Sequence, residues 1–386
     1  MAGEAVGMVQ GKITDEEIER VRQRIGLIRR PPRYCEAATQ DAIRHFCDGI
    51  GDDNPLFRDP TYATKTRWGS IVAPPCFLYA VWWSSGATQG FPGVHGFHSG
   101  NDWEFYRPIY VDDRISVVER LVDVVEKKSK TAGRIIIQYG EAIYSNQRSE
   151  ALAKTISWTI RAERTAMRER QTYSEAKVHR YSPEEMAKIE QAYLNEEIRG
   201  ANPRYWEDVN EGDLIKPMVK GPLNVTDIHG FIAGALGGAA FGRGGAHKFL
   251  YLYRKKHPAW GHIDPDTGVL DIPERVHTED GFAQEVGLPA AYDYGCQRVS
   301  WFGNLLTHWM GDDAFLKKLY VKISRFNMLG DATWLKGKVA SKYVKDGEHL
   351  VDLDLWAENH RGQHSAGRAT VSLPSRSTGF RVEDLH

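Results

Sequence analysis

Phe46-Cys-Asp-Gly-Ile-Gly-Asp-Asp-Asn-Pro-Leu-Phe-Arg-Asp-Pro-Thr-Tyr-Ala63 joins an amphipathic segment to a long apolar run. Before it, Ala42, Ile43 and Phe46 share one face of a helix expected from about Thr39 to Cys47. Inside it, Gly51-Asp-Asp-Asn-Pro55 is dense in turn formers and reads as a loop. Beyond it, the apolar run Ile71 to Trp83 is broken by Pro74-Pro75, which predicts a loop feeding a buried helix that begins near Cys76.

Working outward, Thr14-Asp-Glu-Glu17 opens an N-terminal helix, with Ile18, Val21 and Ile25 at helical spacing and Pro31-Pro32 ending it. Downstream the texture turns to β, with Asp102-Trp-Glu-Phe105 leading in. Arg114–Val125, Arg134–Ser145 and Ala151–Arg161 are rich in Val, Ile, Thr and Tyr, and polar turns separate them. Successive strands so spaced predict an antiparallel meander. A charged helical linker follows, with a capping box at Ser182-Pro-Glu-Glu185. Then the programme repeats: an apolar helix around Phe231–Leu236, a long loop, a turn and helix over Gly287–Leu306, and strands at Val321–Phe326, Ala332–Tyr343, Glu348–Glu358 and Arg368–Leu373. The order of elements predicts an internal duplication in an α+β chain. Its N-terminal domain is expected over 1–165, the linker over 166–200 and the C-terminal domain over 201–386.

A chain of 386 residues suits two domains, at roughly 150 residues each. Lys plus Arg (50) and Asp plus Glu (51) nearly cancel, and a nucleic-acid binder would carry a positive excess, so no nucleic-acid partner is expected. No apolar run reaches the ~20 residues that cross a bilayer, and MAGEAVGMVQGK lacks the basic and apolar regions of a secretory signal. A soluble cytoplasmic protein without a membrane partner is therefore expected. Cys35, Cys47, Cys76 and Cys296 form no C-x-x-C pair and read as reduced thiols.

The opening stretch resembles the hydratase 2 motif of the MaoC-like dehydratase family, G-D-x-N-P-[LI]-H-x-D-P-x-[FY]-A. Gly51, Asp52, Asn54, Pro55, Leu56, Asp59, Pro60, Tyr62 and Ala63 match, and Phe57 stands where the family has its catalytic histidine. In the second half, His277-Thr-Glu-Asp-Gly-Phe-Ala283 is similar to the later part of that motif. Gly287-Leu-Pro-Ala-Ala-Tyr-Asp-Tyr-Gly295 is similar to the family's G-F-x-x-P-I-x-H-G, and Tyr205–Asp213 to its usual opening strand. The resemblance implies a double hot dog, two antiparallel sheets each wrapping a long central helix. In family members of this tandem form the C-terminal half usually keeps the chemistry, while the degenerate N-terminal half makes room for the acyl chain.

By the same resemblance the activity is hydration of an enoyl-CoA to the (R)-3-hydroxyacyl-CoA, or the reverse. The CoA thioester is the substrate, and no separate cofactor or metal is expected. His277 becomes the acid/base and Gly295, opening the second buried helix, the oxyanion donor. The motif's aspartate is missing from this half. Asp271, six residues before His277, is the first candidate to replace it, with Glu279, Asp280 and Asp52 as alternatives. Asp52, Asn54, Phe57 and Tyr294 are expected around the substrate, with Asp52 chiefly a relic that hydrogen-bonds its own loop.

Other features read more plainly. Gly234–Gly245 lacks the context of a nucleotide-binding loop, and His247, His257 and His262 have no metal-site spacing. The basic cluster around Lys248, Arg254, Lys255 and Lys256 is either a solvated surface or a contact for CoA phosphates. Trp82, Trp83, Trp301 and Trp309 read first as core packing and otherwise as walls for a bulky acyl group. Two other readings stay open: an acyl-CoA thioesterase, and a non-catalytic subunit that needs a related chain. A homo-oligomer, or a heteromer with a related hot-dog chain, is the expected assembly.

Overall fold

The computed structural model describes residues 10–83, 89–129, 132–169, 179–236, 246–260, 262–264, 267–285 and 287–377. In the first half, helices α1 (Asp15–Arg22) and α2 (Gln40–Ile50) lead into short turns α3 (Pro55–Arg58), α4 (Pro60–Ala63) and α5 (Leu78–Val81). Strands β1 (His95–Phe105), β2 (Ser116–Ser129), β3 (Gly133–Ser145) and β4 (Ala151–Ala162) follow. The connection carries α6 (Arg164–Glu169) and α7 (Pro183–Leu194), and α7 opens with the capping box expected at Ser182. The second half runs β5 (Met218–Lys220), α8 (Val225–Leu236), α9 (Lys248–Lys256), β6 (His262–Ile263), β7 (Leu270–Asp271), α10 (Asp280–Glu285) and α11 (Gly295–Met310). It ends in β8 (Phe315–Ile323), β9 (Thr333–Lys345), β10 (Glu348–Asn359) and β11 (Gly362–Ser372).

The two meanders fuse into one antiparallel sheet of order β2-β3-β4-β1-β8-β11-β10-β9-β5. The seam is β1 against β8, with Gly100–Glu104 paired to Lys318–Lys322. One apolar core crosses it, holding Phe46, Phe77 and Trp103 from the first half with Phe231, Phe302 and Leu353 from the second. The α+β double hot-dog architecture expected from the sequence is present, with its sheets joined edge to edge.

The halves are unequal where similar helices were expected. Near Cys76 there is a 3-10 turn, Pro75–Phe77, and then only α5, whereas α11 runs for 16 residues with everything after Gly295 buried. Pro74-Pro75 restricts the backbone at the start of the first copy, and Trp82 leaves it in extended conformation. Helix α1 ends at Arg22, because Ile25 instead bridges to Leu121 of β2. The stretch expected as an opening strand, Tyr205–Asp213, holds a 3-10 turn over Trp206–Asp208, and the edge strand comes later as β5. Strand β1 begins at His95, well before Asp102, because its first residues mix glycine and polar side chains and lack strand-like alternation.

Gly100 sits at the bulge in β1, between its two partner strands, with φ +152°. A Cβ there would lie 2.2 Å from both the Trp158 ring and the Val321 carbonyl oxygen. Gly100→Ala should therefore open the seam and cost about 1–3 kcal/mol, read as a lower denaturation midpoint. An unchanged midpoint would mean the seam accommodates a side chain.

Candidate active site

The motif loop is built from caps. Gly51 ends α2 in the left-handed conformation at φ 66°, and the Asn54 side chain accepts from Leu56 N at 3.0 Å to start α3. Asp59 accepts from Thr61 N and Tyr62 N to start α4. Asp52 Oδ1 accepts from Asn54 N at 3.0 Å, the local role expected of it. Phe57 is buried and, with Asn54, Leu56, Trp68, Phe105 and Phe315, lines a small, mainly apolar cavity of about 50 Å³.

Asp52 also reaches a partner the sequence did not indicate. His308, near the end of α11, places Nε2 3.0 Å from Asp52 Oδ1 and Nδ1 3.2 Å from Glu196 Oε1. Burial disfavours a charged imidazole here, but the two carboxylates outweigh it and raise the His308 pKa to about 9. Burial likewise pushes the Asp52 carboxyl up, and His308 more than reverses this, holding it below the ordinary value. With a carboxylate facing each ring nitrogen, His308 is an imidazolium locking the two halves, and so has no lone pair with which to act as a base. Asp53 brings a third ligand-type oxygen within 4.8 Å of the facing atoms of Glu196 and His308, but the imidazolium already supplies the positive charge these carboxylates need. The loop docks further through Tyr62, whose hydroxyl donates to Asp312 Oδ2 at 2.6 Å, and Trp68, whose Nε1 donates to the Asp312 carbonyl at 2.8 Å.

The second-half motif assembles around α11's other end. His277 closes a five-residue 3-10 turn, Pro273–His277, and its ring lies 3.8 Å from that of Tyr294 and 4.6 Å from that of Tyr292, centroid to centroid. Nδ1 is 2.7 Å from the Tyr292 carbonyl oxygen, so it carries the proton and leaves the Nε2 lone pair available. Burial holds the imidazole neutral, pulling its pKa down to about 4. Tyr294 is followed directly by Gly295, the first residue of α11, where backbone N–H groups have no intrahelical acceptor.

One sequence expectation needs correction. Asp271 is not on His277. Its Oδ1 accepts from Ile272 N at 2.8 Å and its Oδ2 lies 3.7 Å from Arg275 Nε, because the arginine four residues on draws the carboxylate toward itself. Glu279 likewise pairs with Arg275, while Asp280 accepts from Ala291 N and so holds α10 against the next turn. Among the described residues, the hydrogen bond that orients His277 comes from a backbone carbonyl. At Gly295 a Cβ would lie 2.7 Å from His98 Nδ1 and 3.0 Å from the His98 carbonyl oxygen, so the first half's β1 fills that side. The glycine-rich run falls mostly outside the described residues, as does the His262 side chain. Of the basic cluster, Lys248–Lys256 forms α9, with Phe249, Tyr251 and Leu252 exposed.

The residues that sequence reasoning missed are His308 and Glu196. His308 and Glu196 lie outside every motif, and only the fold brings them to Asp52. Because the His308 pKa is raised above the ordinary 6.5, its contribution to stability is complete below pH 6.5 and is lost as pH rises toward 9. The difference in denaturation midpoint between wild type and His308→Gln should therefore shrink from pH 6 to pH 9.5. A pH-independent difference would mean that the imidazole is neutral in the folded protein.

Comparison with known proteins agrees with this architecture. The FAS1-like, dehydratase domain region family matches residues 34–155. A probable enoyl-CoA hydratase alpha subunit from Thermomonospora curvata is 29% identical over 154 residues, covering 34% of this chain and 46% of that protein. Further relatives bear only the name UPF0336 protein. A solved MaoC-like dehydratase superposes with a TM-score of 0.62 at 15% identity, over 92% of this chain and 99% of that one. Rv0216 of Mycobacterium tuberculosis, described as having a double hotdog fold, gives 0.51 at 10% identity, over 90% and 96%. The chain thus carries a sequence region similar to a FAS1-like dehydratase domain over residues 34–155, and along most of its length it has the double hot-dog fold seen in MaoC-like dehydratases.

Proposed function

We propose that the protein is a hydro-lyase that adds water to a 2-enoyl thioester of CoA, or removes it from the 3-hydroxyacyl thioester, at His277. The observation that carries this is the histidine's state: Nδ1 is engaged by the Tyr292 carbonyl and the ring is neutral, which leaves Nε2 as a base. In the hydration direction Nε2 takes a proton from water as the water oxygen bonds C3. The displaced electron pair moves toward the thioester oxygen, where backbone N–H groups at the start of α11, beginning with Gly295, stabilise the enolate. Arg254, Lys255 and Lys256 at the end of α9 supply charge for CoA phosphates.

A second reading has two observations in its favour. Among the described residues no carboxylate is hydrogen-bonded to His277, and the similar Thermomonospora protein is named as an alpha subunit. A subunit of a heteromeric hydratase would explain both, with a related hot-dog chain completing the site.

The purified chain is to be incubated with crotonyl-CoA and with a bulkier enoyl-CoA. The proposal predicts loss of enone absorbance without release of free thiol, and His277→Ala should lower turnover by ~10²–10⁴. Thiol release would identify a thioesterase. Activity appearing only when a related chain is added would identify the subunit.

A further inference from the structure

We propose that Glu274 is the acid of this site, holding the proton that C2 receives and standing in for the motif's missing aspartate. The inference rests on the hydro-lyase reading above and names the group which that reading lacks. Glu274 and His277 lie three apart on one 3-10 turn, a geometry in which residues i and i+3 eclipse, so both side chains leave the turn on the same side. The same two aromatic residues lie near both of them. The rings of Tyr292 and Tyr294 flank His277, and the Glu274 carboxylate acts on both tyrosine hydroxyls, adding to the upward push of burial. Two polar atoms there are buried without a hydrogen-bond partner, Glu274 Oε2 and Tyr294 Oη. Buried orphans in one small site are costly unless a substrate or a water joins them.

The charged and titratable surroundings of Glu274 come from several elements. Burial raises its pKa to about 8, Asp271 of β7 adds to this, and Arg164 of α6 opposes it at longer range. Tyr292, Tyr294 and His277 are neutral at pH 7. His95, whose Nε2 lies 3.4 Å from the Tyr292 hydroxyl, is also held neutral by burial. A carboxyl that keeps its proton beside an imidazole that has lost its own is the division of labour that acid–base catalysis needs. In hydration, Nε2 takes a proton from water as its oxygen bonds C3, and the Glu274 carboxyl then gives its proton to C2 as the enolate collapses. The imidazolium passes a proton back to the carboxylate through solvent, so the net change is addition of one water. Dehydration runs the same transfers in reverse.

The test compares pH–rate profiles for crotonyl-CoA hydration by wild type, Glu274→Gln, Glu274→Asp and His277→Ala. Glu274→Gln should lower kcat by ~10²–10⁴ with little change in KM, abolish the fall in rate above about pH 8, and be partly rescued in Glu274→Asp. If Glu274→Gln keeps wild-type turnover and the same alkaline limb while His277→Ala is inactive, the inference is overturned and the hydro-lyase reading stands. If His277→Ala keeps wild-type turnover, that reading falls first. A second measurement needs no turnover: an infrared titration should show a protonated-carboxyl band lost near pH 8 in wild type and missing from Glu274→Gln. Wild type without that band would overturn the proposal.

Discussion

The structure depends on the complete burial of α11. A helix enclosed on every side is expected to be apolar all round, yet Gln297, Arg298, Ser300, Asn304, Thr307 and His308 are buried with the rest. Each such group is tolerable only if the surrounding chain answers it. Arg298 donates through Nε to Asp293 at 2.8 Å and through Nη1 to the Arg325 carbonyl at 2.8 Å, which fixes the turn before the helix against the strands after it. Ser300 and Thr307 bond back to carbonyls of their own helix, and His308 crosses to Asp52. The helix therefore sets the positions of two motif loops from opposite ends: the second-half turn at Gly295 and the first-half loop at His308.

That arrangement accounts for the difference between the two copies. In the first, the residue facing the cavity is Phe57, and the surviving aspartate is spent on an ion pair with the other half. Its motif is kept for what it does as a set of caps and turns, and these hold the loop against the end of α11. The second copy keeps the histidine and the glycine at the helix start but loses the aspartate. A backbone carbonyl takes over the task of fixing the tautomer. A carbonyl orients the ring but lends it no negative charge, so burial prevails and the imidazole stays neutral.

Much of this was legible in the sequence. Periodicity gave α2, the Ser182 capping box marked α7, and β-rich runs located β2, β3, β4, β9 and β10 to within a few residues, whereas β8 and β11 each begin six residues before the runs that pointed to them. The motif register brought His277 and Gly295 to one place. What escaped reading depended on long-range contact. Asp271 is six residues from His277 in sequence, but an arginine one helical turn away claims it. His308 carries no local signal, because its role arises only where residues more than two hundred positions apart meet. Strand β1 was hidden because its glycine and histidine content suits a seam crowded by Trp158 and Val321, where alternation counts for less than space.

The most direct test of the account is a crystal structure of the chain with a bound 3-hydroxyacyl-CoA. The account predicts the C3 oxygen within hydrogen-bond reach of His277 Nε2 and the thioester oxygen at the backbone N–H groups opening α11, with the Asp52–His308 pair untouched. A thioester bound instead against Asp52 and His308, with the His277 turn empty, would contradict it.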